Sequence, residues 1–321
     1  MRARVSAFVS ARCPSLTTMT TELRSSVGDA PASVLAGDEA VLGGITRMNS
    51  LSPSRAADFM SCPLLYRFRV IDRLPESRSI DAVRGSVVHK VLENLFDLPA
   101  GDRTHARANL MLEPVWDELL AEEPEVAEMF GAGAPDLADW LESCRDLLGR
   151  YFGLEDPQRL EPAAREVHVA TQLDSGLTLH GYIDRVDVAT TGALRIVDYK
   201  TGRSPSVQFE ARALFQMKFY ALVVWRTCGV IPRMLQLVYL GNAEVLRYEP
   251  DERDLLATER KVDALWAAIQ RAQRTGEWRP NKSALCGWCD HQDKCPAWGG
   301  TTPPLPDTGQ PAGDAIAAPS S

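Results

Sequence analysis

Two hydrophobic periods run along this chain, and each predicts one kind of secondary structure. Alternation of apolar and polar residues predicts strands, and it is found in the segments 165–171, 177–188, 194–199, 234–240 and 243–248. Apolar residues spaced three and four apart predict amphipathic helices, and this spacing is found in the segments 84–96, 208–227 and 251–276. The mixture predicts an α/β fold with a small mixed central sheet flanked by helices.

Further helices are expected in the first half of the chain. Ser52 is a good N-cap and Pro53 suits the first helical position, so a helix is expected to begin there. Residues 104–153 predict two or more helices, which are separated in part by the glycine-rich segment 131–135. These helices predict a helical insert over about residues 100–160.

Composition sets the limits of the folded region. With 321 residues, of which 45% are hydrophobic, the chain can bury a substantial core. Residues 1–47 are rich in Ser, Thr, Ala and Gly, and we expect a flexible tail, or a true start at Met19 or Met48. Residues 301–321 are rich in Pro, Gly, Ala and Ser and are expected to be disordered. One domain is therefore predicted over residues 48–300.

The net charge of −8 neither supports nor excludes a nucleic-acid partner, because the acidic residues are concentrated in the predicted insert. Between Asp97 and Glu161 there are 16 acidic and 5 basic side chains, a balance of −11, so the rest of the chain carries +3. A solvated helical face accounts for this acidity as well as a binding surface does. No apolar run approaches the length of a membrane span, and we expect no membrane contact.

Two carboxylates and one lysine are predicted to meet at one end of the sheet. The segments 181–188 and 194–202 have the pattern of two strands joined by a tight turn, and each carries a central Asp, Asp184 and Asp198. Lys200 lies two residues after Asp198 and therefore projects from the same face of the strand. Such a group suits a hard divalent metal ion and a phosphate, although an Asp-x-Lys triplet alone is most often a surface feature.

A cluster of cysteines near the end of the predicted domain indicates a metal centre. Cys286, Cys289 and Cys295 have the spacing Cys-x2-Cys-x5-Cys, which lets three thiolates bind one centre. The best candidate for a fourth ligand is Cys62, which is followed by proline as Cys295 is. Zinc competes with an iron–sulfur cluster here, with His291 or Cys62 as its fourth ligand. Seven cysteines without a signal peptide favour a reducing cytoplasm over a disulfide framework.

Together these features resemble the RecB-like exonuclease family of the PD-(D/E)xK nuclease superfamily, and in particular its iron–sulfur-containing branch. No single matching segment is specific, but six of them occur in the family order over about residues 51–296. They are Leu51-Ser-Pro-Ser with Cys62-Pro63, Gly85-Ser-Val-Val-His89, Gly181-Tyr-Ile-Asp184, Ile196-Val-Asp-Tyr-Lys-Thr-Gly202, Gln216-x-x-x-Tyr220 and the terminal cysteine triplet. The resemblance implies a restriction-endonuclease-like core.

The resemblance also implies a role for individual residues. His89, Asp184 and Asp198 would bind a Mg²⁺ or Mn²⁺ ion together with the carbonyl oxygen of Tyr199. The histidine tilts the preference of this ligand set towards Mn²⁺. Lys200 would orient or deprotonate the attacking water and stabilise the negative charge that develops on the phosphate.

The remaining motif residues would bind DNA and a second metal centre. Gln216 and Tyr220 would contact the DNA strand and position the surroundings of Lys200. A [4Fe–4S] cluster would join the first predicted helix to the C-terminal segment through the thiolates of Cys62, Cys286, Cys289 and Cys295.

The implied function is that of a metal-dependent DNA exonuclease that prefers single-stranded DNA and acts in repair or recombination. The sequence has no Gly-x4-Gly-Lys-Ser/Thr phosphate loop, so a motor such as a separate helicase would have to come from a partner. Two other functions stay open at this point, a non-catalytic nucleic-acid-binding module and a zinc-stapled interaction protein. The presence of all the implied catalytic and metal-binding side chains favours the enzyme.

Overall fold

The structure of the chain, a computed structural model, describes residues 49–130 and 136–306, without the side chains of residues 207–209. The predicted tail 1–47 and most of the predicted tail 301–321 lie outside the described residues, as does the glycine-rich segment of the insert. No helix in the described part of the chain is long and apolar enough to cross a membrane.

Two compact units make up the region that was predicted as one domain. The first contains residues 49–56 and 78–266, and the second contains residues 57–77 and 267–306. Each unit is therefore built from segments that lie far apart in the sequence.

A six-stranded mixed sheet lies at the centre of the first unit. Its strands are β1 (Ser50–Leu51), β2 (Ala164–Gln172), β3 (Thr178–Val188), β4 (Leu194–Lys200), β5 (Met234–Tyr239) and β6 (Glu244–Tyr248). They follow the order β1-β3-β4-β5-β6, with β2 antiparallel to β3 on its opposite edge. The β4–β5 pair is parallel, whereas β3–β4 and β5–β6 are antiparallel. The predicted mixed sheet is confirmed.

Seven α-helices and one π-helical turn accompany the strands among the described residues. They are α1 (Pro53–Ser61), α2 (Pro63–Tyr66), the π-helical turn Arg67–Ile71, α3 (Ile80–Leu95), α4 (His105–Glu122), α5 (Leu137–Leu154), α6 (Val207–Cys228) and α7 (Glu252–Thr275). The side chains of Ser79, Thr104 and Asp136 cap α3, α4 and α5 by accepting backbone N–H bonds in the first turn. The helix α6 ends at Gly229, whose φ of +68° is the left-handed conformation that glycine adopts readily.

The helices of the acidic insert share one hydrophobic core with the sheet. Apolar faces of α3, α4 and α5 pack together with one face of β4 and β5, which supplies Val197, Tyr199 and Val238. Trp116 and Trp140, from α4 and α5, meet in this core with ring centroids 5.1 Å apart. The insert is thus an integral part of the first unit.

A buried arginine joins the end of the insert to the sheet. Arg185 on β3 makes two bonds to the Glu155 carboxylate, 2.8 and 2.9 Å long, and lies 3.1 Å from Asp187. Its guanidinium also donates to the Tyr199 hydroxyl. Gln236 donates to Glu155 at 2.8 Å, and the two partners of the ion pair are only 1% and 8% exposed. Burial opposes ionisation of Glu155, but the bonds from Arg185 keep the pKa of this carboxyl below its ordinary value.

Aromatic side chains pack the second unit. Tyr66 stacks on Trp278 at 6.0 Å and meets Phe59 edge-on at 5.6 Å. Phe68 packs against the buried ring of His291, whose Nε2 lies 2.8 Å from the Glu76 carboxylate. These contacts hold the segment that follows α1 against the C-terminal segment of the same unit.

Removing the buried guanidinium is expected to destabilise the first unit strongly. Arg185→Met leaves Glu155 as an uncompensated buried charge, and the free energy of unfolding should fall by about 3–5 kcal/mol. Urea denaturation followed by circular dichroism measures this change.

Arg195→Met is the matched control for this substitution. Arg195 also pairs with Asp187, at 2.7 Å, but the Arg195 side chain is 29% exposed. Its substitution should therefore lower the free energy of unfolding by less than about 1 kcal/mol. The double variant Arg185→Met with Glu155→Leu should recover much of the stability, because the Glu155 charge is then removed and Asp187 keeps Arg195 as its partner. Equal stability of Arg185→Met and the wild type would contradict the role given to this ion pair.

Candidate active site

The site lies where β3 and β4 separate. The two strands pair from Val188 and Leu194 up to Arg185 and Val197. Beyond that point β4 remains paired with β5. The edge of β3 that faced β4 pairs again only near Leu179, where β1 lies beside it. Asp184 and Asp198 are the next residues on the two strands, so both carboxylates stand at the opening of this fork, as the sequence predicts.

His89 on α3 faces the same opening. Its Nδ1 lies 3.5 Å from a carboxylate oxygen of Asp184, and its Nε2 lies 3.0 Å from the carbonyl oxygen of Tyr199. A carbonyl oxygen can only accept, so Nε2 carries a proton and Nδ1 of the neutral ring can bind a cation. The Tyr199 peptide also donates its N–H to Asp184 at 2.7 Å, and this bond fixes the carboxylate in place.

Glu166 on β2 completes a group of three ligands that the sequence interpretation did not identify. One ligand atom from each of His89, Glu166 and Asp184 lies within 4.8 Å of the other two. Glu166 stands opposite Asp184 on the neighbouring strand. This is the one pair missing from the β2–β3 ladder, and the register is the same before and after it. Its φ of +42° is left-handed, which is uncommon for a residue other than glycine and marks a locally constrained backbone.

The carboxylates of the site are crowded and shielded from water. Burial and the neighbouring Asp198 raise the pKa of Asp184 above its usual range, against the opposing effect of His89. Burial, followed by the charges of Asp184 and Glu93, raises the pKa of Glu166 to about 8. Like charges held together in a poorly solvated place favour either a proton or a cation. A divalent cation bound by two carboxylates and an imidazole suits this environment.

Lys200 and Asp198 form a second group beside these ligands. The Lys200 ammonium lies 2.7 Å from the Asp198 carboxylate and donates to the Gln216 side-chain oxygen at 3.1 Å. The Gln216 amide nitrogen donates in turn to Asp198 at 3.1 Å and to the Tyr220 hydroxyl at 3.4 Å. Burial alone would lower the pKa of Lys200, but Asp198 and Asp184 hold it above its ordinary value, so the side chain is a cation.

Because Gly181 has no side chain, the ring of Tyr220 can pack directly against its backbone. A Cβ atom at position 181 would lie 2.7 Å from a ring carbon of Tyr220 and 3.4 Å from Pro53. Since Tyr220 and Gln216 lie one turn apart on α6, the absence of a side chain at Gly181 also lets Gln216 approach β4. This close approach gives a structural reason for the glycine in the segment Gly181-Tyr-Ile-Asp184.

The predicted cysteines come together in the second unit. Cys62, Cys286, Cys289 and Cys295 line one cavity. Backbone N–H groups of Asn281 and Ser283 point to the sulfurs of Cys62 and Cys286, each at 3.4 Å, as suits a thiolate that binds a metal. His291 does not line this cavity. Its ring is engaged by Glu76, so the geometry favours Cys62 as the fourth ligand.

Comparisons with known proteins agree with this architecture. A family model described as the PD-(D/E)XK nuclease superfamily matches residues 50–296. A solved structure of a protein called "Putative exonuclease" from Eubacterium rectale is similar, with a TM-score of 0.50 and 16% identity, over 76% of this chain and 88% of that chain. At this identity the likeness concerns the fold, and it agrees with the mixed α/β arrangement predicted from the sequence.

Two phage proteins are similar in sequence. The Gene 69 protein of Mycobacterium phage L5 is 28% identical over 138 residues, which are 42% of this chain and 45% of that protein. The Gene 69 protein of Mycobacterium phage D29 is 27% identical over 206 residues, which are 56% of this chain and 70% of that protein. The match therefore covers less than half the length of the first protein.

Glu166→Gln is expected to weaken the binding of Mn²⁺ at least about tenfold, because the number of carboxylate charges in a site sets its affinity for hard cations. Isothermal titration calorimetry with MnCl₂ measures the affinity. Glu142→Gln is the matched control, since Glu142 on α5 is 66% exposed, pairs with Arg145 and lies outside the group of three ligands. Its Mn²⁺ affinity should stay close to that of the wild type. Equal affinities of all three proteins would remove Glu166 from the ligand set.

Proposed function

This chain belongs to the PD-(D/E)XK nuclease superfamily, and on that premise we propose that it is a metal-dependent deoxyribonuclease. We place it in the RecB-like, iron–sulfur-containing branch, as an exonuclease that prefers single-stranded DNA and acts in repair or recombination. The observation that carries the proposal is the group formed by His89, Glu166 and Asp184, directly beside the Asp198–Lys200 ion pair.

His89, Glu166 and Asp184 would hold a Mg²⁺ or Mn²⁺ ion, with Asp198 on the adjoining strand as a further ligand. The Tyr199 carbonyl, which the resemblance implies as a ligand, accepts a bond from His89 Nε2 in this structure and would orient the imidazole instead. When bound, the ion would polarise the scissile phosphate and make a bound water nucleophilic at neutral pH. The imidazole in the ligand set tilts the preference towards Mn²⁺. The Tyr199 peptide orients two of the side-chain ligands, because its N–H bonds Asp184 and its carbonyl bonds His89.

Lys200 supplies the positive charge that phosphodiester hydrolysis requires. The attack of water adds negative charge to the phosphate oxygens, and a fixed cation nearby stabilises that charge in the transition state. Asp198 and Gln216 hold the Lys200 ammonium in place from two sides. The Lys200 ammonium has no lone pair and can only donate hydrogen bonds. It would therefore orient the attacking water by donating to it.

Gln216 would contact the DNA strand that enters the fork. Tyr220, which the resemblance also implies as a DNA contact, is only 6% exposed and would act by positioning Gln216. Gln216 already donates to Asp198 and Tyr220, so it links the strand-binding face of α6 to the catalytic residues of β4. A separate helicase that supplies single-stranded DNA to this site is part of the proposal, as the family resemblance implies.

A [4Fe–4S] cluster is proposed for the four cysteines. All four thiols line one cavity, and each would bind a different iron of the cluster. The cluster would hold the segment 286–295 to Cys62 within the second unit.

Lys200→Ala is expected to lower the rate of DNA cleavage by about 10²–10³-fold or more, as the loss of one transition-state donor does in other enzymes. End-labelled single- and double-stranded oligonucleotides with Mn²⁺ or Mg²⁺ measure this rate. Lys218→Ala is the matched control, because Lys218 lies on α6 but bonds Tyr248 and Asp254 instead of the site. It should cleave at nearly the wild-type rate.

Three outcomes of this assay would count against the proposal. Cleavage that survives in Lys200→Ala would place the active site elsewhere. The absence of cleavage by the wild type on both substrates would favour a non-catalytic nucleic-acid-binding module. Faster digestion of duplex than of single strands would overturn the proposed substrate preference.

Protein purified without oxygen is expected to be brown, to absorb in the visible range and to contain iron and acid-labile sulfide. Cys62→Ser should lose this absorption together with thermal stability, because the cluster joins two segments of the second unit. Cys144→Ala is the control for the absorption, which it should keep, since Cys144 belongs to the core of the first unit. A colourless wild-type protein with one zinc ion per chain would establish zinc in place of the cluster.

A further inference from the structure

Large apolar side chains are exposed around the cysteine cavity of the second unit. Trp288 is 80% exposed, and Leu285 and Trp298 are each 51% exposed. Trp288 lies between two of the predicted cluster ligands in the segment Cys286-Gly-Trp-Cys289. A tryptophan exposed to this extent contributes little to a core and is typical of a binding surface.

The segment that carries these tryptophans is held in one conformation by bonds within its unit. The Asp290 carboxylate accepts from the Ser77 backbone N–H at 2.8 Å, and Gln292 donates to the Cys286 carbonyl. The Gly300 N–H donates to the Cys295 carbonyl at 2.9 Å. The aromatic side chains are thus presented by a fixed backbone, which lowers the entropy lost on binding.

Positive charge accompanies the exposed rings. The Lys282 ammonium lies 4.7 Å from the centroid of the Trp298 ring, in a cation–π contact. Residues 271–298 contain five Lys or Arg and three Asp or Glu, in a chain whose net charge is −8. Two of the three acidic residues are paired locally, Glu277 with Arg279 and Asp293 with Lys294. Each pair removes one charge of either sign, so the segment carries an excess of two positive charges, which favours a polyanion over an acidic or neutral protein surface.

We propose that the second unit carries an accessory binding surface for single-stranded DNA, in which Trp288 and Trp298 stack on bases and Lys282 contacts the phosphate backbone. Exposed aromatic rings combined with cations are the arrangement by which proteins bind single strands without reading their sequence. Duplex DNA keeps its bases stacked on one another, so the surface selects single strands. This inference deepens the proposed function and relies on it for the identity of the ligand.

Fluorescence anisotropy with a labelled oligothymidylate of 20 nucleotides tests the surface, in the full-length protein with its metal centre and without added divalent cations. Trp288→Ala and Trp298→Ala should each raise the Kd by about 5- to 100-fold, the effect expected from losing one stacked base. Trp288→Phe and Trp298→Phe should bind nearly as the wild type does, because they keep an aromatic ring. Leu110→Ala is the matched control, since Leu110 is an apolar residue 68% exposed on α4.

An abasic oligonucleotide of the same length separates stacking from charge. It should bind the wild type more weakly than oligothymidylate does, and the alanine substitutions should change its Kd little. Unchanged oligothymidylate binding in both alanine variants overturns the inference and leaves a protein contact as the use of this surface. If the alanine substitutions lower the affinity for the abasic oligonucleotide by the same factor, the inference is overturned as well.

Failure of the inference can be told apart from failure of the proposed function. If the wild type cleaves single strands with Mn²⁺ while the tryptophan variants bind them normally, only the accessory surface is wrong. If the wild type neither binds nor cleaves single strands, the proposed substrate class is wrong and the accessory surface falls with it. Visible absorption of each variant verifies that the metal centre is retained. If Trp288→Ala loses the metal centre, Trp298→Ala still provides the test, because Trp298 lies outside the Cys286–Cys289 pair.

Discussion

The early separation of β3 from β4 is the constraint on which the candidate active site depends. The two strands stop pairing after Arg185 and Val197, and the peptide groups beyond this pair are free to bond side chains instead of each other. The Tyr199 peptide does so by binding Asp184 and His89. A continuous ladder would have used the same N–H and carbonyl for the sheet and closed the space between the two carboxylates.

The fork crowds carboxylates that would repel each other without a counter-charge. Lys200 is the cation in contact with Asp198, while Glu166 and Asp184 belong to a group that could hold a cation from solution. Raised pKa values at both Glu166 and Asp184 are the electrostatic consequence of this crowding together with burial. The binding of a divalent ion and the shape of the sheet are therefore linked, because the ion would stabilise the conformation that holds its ligands together.

Structural support for the fork comes from two sets of contacts. In the first, Arg185 and Glu155 form a buried ion pair that also engages the Tyr199 hydroxyl, so the residue whose peptide orients the proposed ligands is anchored through its side chain. In the second, Tyr220 fits against Gly181 and Gln216 reaches Asp198 and Lys200. These contacts restrict the positions of the catalytic groups without taking part in the proposed chemistry.

The sequence by itself determined the features that depend on neighbouring residues. Asp198 and Lys200 share a face because side chains alternate along any strand, and Gln216 and Tyr220 share one because four residues make about one helical turn. Only the tertiary structure identified Glu166 as a partner of Asp184, because their meeting depends on the register of two strands and on a left-handed backbone at Glu166. Only packing likewise brought Cys62, already the best candidate from the sequence, to the cavity of the other three cysteines and placed the His291 ring beside Glu76. Periodicity is a local property of the chain, whereas register, strained backbone and cavity lining are set by packing between distant segments.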